Sequence, residues 1–262
     1  MCIRDRHSDK DDIPYTELPD LEKYILHRLC EVDEKIRSSY QSYSFQSVFQ
    51  TYFQFCTQDL SSFYFDIRKD VLYCDSENSL KRKATLKVLD ILFFRLTTWF
   101  SPILPFTMEE VYLERFPKSE NSVHLLDIPK PEKDWYNPDH VKDWDKIRNV
   151  RRVVTGAIEV LRQDKIIGSS LEASATIYIK DKNLFEIIKL VDMSEVCITS
   201  GMSIEFVTTT IADSCFVLED VPNVGVTCKP AEGKKCPRCW TLNLPLDKSE
   251  GDLCARCQDA VN

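Results

Sequence analysis

Glycine is scarce in this sequence, with six residues among 262, and no glycine-rich loop precedes a helix-like segment. This scarcity argues against a domain that cradles nucleotide phosphates in such a loop. Long apolar runs are also missing, because the longest, 88–96, is interrupted by Asp90 and Arg95. A membrane span needs roughly 20 apolar residues, so we expect no transmembrane helix. Residues 1–12 are polar after Ile3 and lack the apolar segment of a secretory signal.

Positive charge is not in excess. The sequence has 34 lysines and arginines but 42 aspartates and glutamates, so the net charge is −8. Such a chain does not wrap nucleic acid by bulk charge, so only a local basic face could bind it. The four histidines are isolated: His7, His27, His124 and His140. The composition, 43% hydrophobic and 29% charged, excludes a disordered chain. We expect one large or two modest domains in an intracellular protein.

Residues 13–136 are predicted to form a helical bundle, because apolar residues recur three and four positions apart. Pro19 suits the start of the first helix, and Pro105 breaks the fourth. Thr107, followed three residues later by Glu110, has the pattern of a capping box and predicts a short fifth helix. The predicted core stripes are Leu21, Tyr24, Ile25, Leu29, Val32 and Ile36; Phe45, Val48, Phe49, Tyr52, Phe53 and Cys56; Phe63, Ile67 and Val71; and Leu80, Ala84, Val88, Ile91 and Trp99.

The aromatic residues between positions 40 and 65 have two possible roles. They could fill the core of the bundle, or they could form a platform on which unpaired bases stack. Their helical spacing favours the core for most of them. Only rings that lie off the stripes, such as Tyr43 and Tyr64, are expected to be open to bases.

Residues 137–229 are predicted to form a long helix followed by a small α/β domain. Asn137 and Pro138 suit the start of the helix, which is expected to run to about Lys165. Gly168 is predicted to end it in a left-handed conformation. The remaining elements are expected to be a strand over 175–179, a short helix around 184–188, and strand-like runs near Val196, Ile204 and Phe216.

The last part of the chain, 230–262, contains two Cys-x-x-Cys pairs separated by 14 residues: Cys236, Cys239, Cys254 and Cys257. A spacing of two residues lets one tight turn direct both sulfurs at an ion, and two such turns complete the tetrahedron that zinc accepts. Four thiolates leave no open position for water or substrate. The pattern therefore predicts a structural zinc ribbon, the alternative being two fortuitous or redox pairs.

Local basic clusters are the candidates for nucleic-acid contact. The segment 142–165 has seven basic and four acidic residues, a net charge of +3 within an acidic chain. The predicted RNA-binding residues are Arg148, Arg151 and Arg152 on the long helix, Lys81, Arg82 and Lys83 near a helix start, and Arg238 and Trp240 in the ribbon. For the charged residues the alternative is a solvated surface, and for Trp240 it is packing against Leu242, Leu244 and Leu246.

Four stretches of the sequence resemble a known family, in the family's order. They are DLSSFYFDIRKDVLYC (59–74), SPILPFTMEEVY (101–112), IIGSSLEA (166–173) and the tail KCPRCW…LCARC (235–257). The first two resemble the helical anticodon-binding domain of the isoleucyl, valyl, leucyl and methionyl tRNA synthetases. Together with the last two, they are similar to the C-terminal part of bacterial or organellar isoleucyl-tRNA synthetases from about Tyr15 onward. Thr241 stands where that family commonly has a histidine after the tryptophan.

The resemblance implies a mainly α fold, with an anticodon-binding bundle, a small α/β domain and a four-cysteine zinc ribbon that together bind the anticodon arm of isoleucine tRNA. The parent reaction would be the ATP-dependent attachment of isoleucine to tRNA. The catalytic signatures and editing domain of the family are missing from this sequence, so this chain alone is expected to be inactive and to need no ATP.

We further expect one structural zinc ion, a monomer without a membrane partner, and a location in the cytoplasm or an organellar matrix. Residues 1–12 match neither the family nor the helix that follows, and they are expected to be disordered and non-native. The competing interpretation is a non-enzymatic zinc-ribbon adaptor that binds DNA or a protein partner.

Overall fold

The computed structural model describes residues 13–118, 120–243 and 253–261. The chain divides into two compact units. The first unit runs to Pro138 except for the segment Cys74–Ser76, and the second consists of that segment and the chain from Asp139 onward. The segment 1–12, predicted to be disordered, lies outside the described residues. Within the described part of the chain, no helix combines the length and apolarity needed to cross a bilayer.

The first unit is helical, as predicted. Its helices are α1 Asp20–Gln41, α2 Phe45–Gln54, α3 Asp66–Cys74, α4 Leu80–Phe100 and α5 Pro105–Arg115. A π-helical segment, Phe55–Phe65, joins α2 to α3. Helix α5 starts with Pro105 after its N-cap Leu104, because the fixed φ of proline suits the first helical position. The capping box predicted at Thr107 is therefore wrong, since Thr107 already lies in the first turn of the helix.

A buried polar cluster joins helices α1, α3 and α4 and the π-helical segment of the first unit. The carboxylate of Glu22, which has no exposed surface, accepts hydrogen bonds of 2.6 and 2.7 Å from Nε and Nη2 of Arg68. The hydroxyls of Tyr64 and Thr85 donate to the same carboxylate at 3.1 and 3.3 Å. Burial, followed by the nearby Glu22 carboxylate, raises the pKa of Tyr64. The prediction that Tyr64 is open to bases is therefore wrong, because its hydroxyl helps to satisfy a buried charge.

Most of the predicted stripes form the core, but the stripe on α2 does not. The first and third stripes are fully buried, whereas Leu80 of the fourth is about half exposed. The buried row of α2 consists of Val48 and Thr51, and it continues into the π-helical segment at Phe55. The phenylalanines of the neighbouring row are exposed, with fractions of 52% for Phe45, 50% for Phe49 and 57% for Phe53. The apolar stripe of α2 is thus wider than the side of the helix that faces the core.

The second unit contains the predicted small α/β domain. Its elements are α6 Pro138–Gln163, β1 Ala173–Ile179, α7 Lys182–Lys189, α8 Met193–Cys197, β2 Gly201–Phe206 and β3 Val224–Pro230. The sheet has the order β2-β1-β3, with β2 parallel and β3 antiparallel to β1, so that Ile177 lies between Ile204 and Val226. Helix α6 packs closely here, because a Cβ on Gly156 would lie 2.6 Å from the ring of Phe216.

Two sequence predictions in the second unit miss how a helix ends or begins, and the strand predicted near Phe216 is only an isolated bridge to Val226. Lys165, not Gly168, takes the left-handed conformation after α6, with φ 58°. The N–H of Ile166 donates to the carbonyl of Leu161 at 2.9 Å, which is the hydrogen bond that closes a Schellman motif. Val196 lies in α8 rather than in a strand. Capping at Lys165 ends α6, and capping by Asp192 begins α8. The apolar pattern alone shows neither of these helix ends.

Candidate metal centre and nucleic-acid interface

The tail of the second unit brings its four paired cysteines together. A two-stranded ribbon, β4 Lys234–Lys235 with β5 Leu242–Asn243, carries Cys236 and Cys239 in its turn. Cys254 precedes helix α9, Ala255–Asp259, and Cys257 lies within that helix. The four sulfurs all lie within 4.8 Å of one another, and all four side chains are buried. The fold therefore assembles the cluster that the spacing predicts, and this cluster can hold one metal ion.

The geometry of the cluster fits a tetrahedral ion. Zinc–sulfur bonds of about 2.3 Å place the sulfurs of a tetrahedral site about 3.8 Å apart. The sulfurs of Cys239 and Cys254 are 3.7 Å apart. Because four protein sulfurs complete the coordination, an ion in this site would be structural and would have no position for a reacting water.

The surroundings of Cys236 favour its thiolate. Burial by itself raises the pKa of this thiol, but the backbone N–H groups of Cys239, Cys254 and Arg238 donate to its sulfur and lower the pKa to about 6. Burial raises the pKa of Cys239 and Cys257. Cys236 can therefore bind a cation as a thiolate, whereas Cys239 and Cys257 would lose their protons only when a metal ion binds.

A fifth cysteine, absent from the sequence predictions, packs against the cluster. Cys74 is buried beside the four sulfurs but does not belong to the set that can share one ion. Arg238 donates a hydrogen bond to the backbone carbonyl of Cys74, and Nε of Arg256 donates to Asp75 at 2.8 Å. No sequence signal marks Cys74, because it is a single cysteine far from the tail. Arg238, predicted to meet RNA, therefore makes a protein contact.

Trp240 is accessible at the edge of the ribbon. Its side chain is 61% exposed, and its backbone is left-handed with φ 67°. The N–H of Trp240 donates to the carbonyl of Cys236 at 2.9 Å, so this strained residue closes the turn that holds the first cysteine pair. Of the leucines considered as packing partners, Leu242 is partly buried, and Leu244 and Leu246 lie outside the described residues. The exposed indole can meet a ligand.

The predicted basic face of α6 is partly occupied by contacts within the second unit. Nε of Arg151 donates to the carbonyl of Val196 at 2.9 Å. Arg152 pairs with Asp220 at 2.8 Å, and both side chains are more than half exposed. Arg148 also has an interaction partner. Because an exposed ion pair contributes little stability, Arg152 can exchange Asp220 for a phosphate, whereas Arg151 is held by a backbone carbonyl.

The three residues of the second predicted basic cluster, near the start of α4, differ in their exposure to solvent. Lys81 is exposed and Lys83 is partly exposed, but Arg82 has an exposed fraction of only 2%. The prediction that Arg82 contacts RNA is therefore wrong, because its guanidinium is not accessible to a phosphate. The helical position of Arg82 faces the core, which the run of three basic residues does not reveal.

The helical first unit, together with the start of the second, matches a family of tRNA-binding domains. The model described as "Anticodon-binding domain of tRNA ligase" matches residues 22–178, which is more than half of the chain. The chain belongs to this family, as the motifs in the sequence predict.

Among curated proteins, the chain is similar to bacterial isoleucine–tRNA ligases. It is 45% identical to that of Ruegeria pomeroyi over 94% of this chain and 25% of the relative. It is 43% identical to that of Brucella abortus and 46% identical to that of Bartonella henselae, in each case over 95% of this chain and 26% of the relative. The chain thus spans about a quarter of the length of the curated relatives it matches.

Proposed function

We propose that this chain is the C-terminal tRNA-recognition part of an isoleucine–tRNA ligase and that it binds the anticodon arm of isoleucine tRNA. The observation that carries the proposal is the anticodon-binding family match over residues 22–178 in a chain that also assembles a four-cysteine cluster. The identity of about 45% to isoleucine–tRNA ligases supports isoleucine as the amino acid. The parent enzyme would join isoleucine to tRNA with ATP.

Within this function the chain's own residues would position the RNA. Exposed cations such as Lys81 and Arg152 would neutralise phosphates, which orients the arm without reading its sequence. Exposed rings such as Trp240 would stack on unpaired bases of the loop. A structural zinc ion held by the four cysteines would keep the ribbon folded and Trp240 in place.

A binding measurement tests the proposal directly. The 262-residue chain is expected to bind the anticodon stem-loop of isoleucine tRNA about 10-fold more tightly than an unrelated stem-loop, the value of one well-made base contact. It is also expected to catalyse no isoleucine-dependent exchange between ATP and pyrophosphate. Equal affinity for the isoleucine stem-loop, a scrambled stem-loop and duplex DNA at one salt concentration would contradict the proposal and favour the zinc-ribbon adaptor.

Replacing Trp240 by alanine is expected to weaken binding of the isoleucine stem-loop by about 1–3 kcal/mol, because one base–aromatic stack is lost. Metal content should stay at one ion per chain, since the indole is exposed. Trp240→Phe is the matched control and should keep most of the affinity. A loss of metal in Trp240→Ala with unchanged RNA affinity would show instead that the indole only packs the ribbon.

A further inference from the structure

A surface without charge lies on the first unit. From Ser38 to Gln58 the sequence SSYQSYSFQSVFQTYFQFCTQ contains no charged residue, although 29% of the whole chain is charged. The stretch covers the end of α1, all of α2 and the start of the π-helical segment. Its outer positions are exposed, so the absence of charge describes a surface and not only a core. A solvent-facing helix usually carries charged residues on its outer side, and α2 departs from that rule.

Two parallel rows of side chains make up this surface. Phe45, Phe49 and Phe53 follow one another at intervals of four residues and are about half exposed. The rings of Phe49 and Phe53 are nearly parallel, with centroids 5.8 Å apart and an angle of 14°. Residues four apart lie on the same side of a helix, so the three phenylalanines share one side of α2.

Glutamines form the second row, about 100° further around the helix from the phenylalanines. Gln46, Gln50 and Gln54 each follow one of the phenylalanines in sequence, and all three are exposed. Nε2 of Gln54 donates to Oε1 of Gln58 at 3.3 Å, which continues the row by one turn. Among the described residues, the side chains of Gln46 and Gln50 have no hydrogen-bond partner. Each of these amides can both donate and accept a hydrogen bond.

Tyr43 extends the surface at the turn before α2. Its side chain is 80% exposed, and its backbone is left-handed with φ 56°, a conformation that is uncommon for a residue with a side chain. The ring lies edge-on to Phe45 with centroids 6.5 Å apart. The N–H of Ser44 donates to the carbonyl of Ser39 at 2.8 Å, so Tyr43 is the left-handed residue of the Schellman motif that ends α1. The cap leaves the ring of Tyr43 exposed beside the phenylalanines. We call Tyr43, the three phenylalanines and Gln46, Gln50 and Gln54 the Phe/Gln face.

We propose that the Phe/Gln face binds unpaired nucleobases of the tRNA, with the rings stacking on base faces and the glutamine amides pairing with base edges; this inference rests on the proposed function. The residue types favour bases over another protein surface, because the exposed row contains aromatic rings and amides but no aliphatic side chain. They also favour bases over phosphates, because the face contains no cation. Single-stranded loops are the part of an RNA that offers splayed bases to such a surface.

The test separates stacking from hydrophobic contact. In the 262-residue chain, the double variant Phe49→Leu with Phe53→Leu keeps apolar surface but removes the flat rings, whereas Phe49→Tyr with Phe53→Tyr keeps the rings. The leucine variant is expected to bind the isoleucine anticodon stem-loop about 10-fold more weakly or worse, in the range of one lost stack. The tyrosine variant should bind like the wild type, and neither change should alter binding to a fully paired RNA duplex. A 2-aminopurine placed in the loop should be quenched by the wild type and less by the leucine variant.

The outcomes distinguish this inference from the function on which it rests. If the wild-type chain prefers the isoleucine stem-loop and the leucine variant binds it equally well, the Phe/Gln face is not an RNA site and the proposed function stands. If the wild-type chain shows no preference for the stem-loop, both are wrong. A wild-type dimer that the leucine or tyrosine variants dissociate, with RNA affinity unchanged, would assign the face to a second copy. Should the leucine variant unfold, the exposed substitution Gln50→Glu decides, because its carboxylate should repel RNA and weaken binding.

Discussion

Replacing Cys254 by serine is expected to abolish stable metal binding and to unfold the ribbon. The sulfur of Cys254 is one of four that lie within 4.8 Å of one another, and serine offers no thiolate to complete the tetrahedron. Binding of zinc to such sites contributes on the order of 10–16 kcal/mol to the folding of small modules, which far exceeds what the few apolar residues of the ribbon can supply. The reduced, freshly purified wild-type chain should contain one zinc ion, and the variant close to none after dialysis.

Cys74→Ser is the matched control for this prediction. Cys74 is a buried cysteine that packs against the same cluster but lies outside the four-sulfur set, so this variant should keep one ion per chain. A chelator should remove the hydrogen-exchange protection of the ribbon and leave the helices of the first unit protected. A zinc content that is equal in the wild type and in Cys254→Ser, or a Cys74→Ser chain without metal, would contradict the four-cysteine assignment.

Replacing Glu22 by glutamine is expected to destabilise the first unit by about 3–5 kcal/mol. The carboxylate is buried and accepts two hydrogen bonds from Arg68, so the amide leaves a positive charge in the core without its counter-ion. The nearly identical size of glutamine means that the loss comes from charge and hydrogen bonding rather than from a cavity. Urea unfolding followed by circular dichroism in the far ultraviolet measures the change.

Two further variants test the physical reason. Lys69→Gln breaks the exposed ion pair of Lys69 with Asp66 on the same helix as Arg68 and should cost less than about 1 kcal/mol. Glu22→Leu combined with Arg68→Met removes both charges and should be much more stable than Glu22→Gln, because no unpaired charge remains. A loss in Glu22→Gln no larger than that in Lys69→Gln would contradict the view that Glu22 neutralises a buried charge.

Local patterns in the sequence predicted the metal cluster and the type of most elements. The two Cys-x-x-Cys pairs predict one four-sulfur cluster because each tight turn already places two sulfurs side by side, whatever the rest of the fold does. The spacing of Leu21, Ile25 and Leu29 predicts a buried helical stripe because helical periodicity is a property of consecutive residues. The anticodon-binding family is likewise visible in short motifs, such as residues 59–74 and 101–112, which lie within the matched span.

Burial within these elements was decided only by tertiary structure. Whether Phe49 or Val48 faces the core depends on which side of α2 its neighbours cover, and both residues are apolar. Arg82 and Tyr64 are polar enough to suggest surface roles, yet both are buried, with Tyr64 hydrogen-bonded to Glu22 from a distant part of the chain. Cys74 reaches the four-cysteine cluster only through folding. The sequence by itself thus determined most of the helices and which sulfurs meet, whereas packing between distant segments determined which side chains remain exposed.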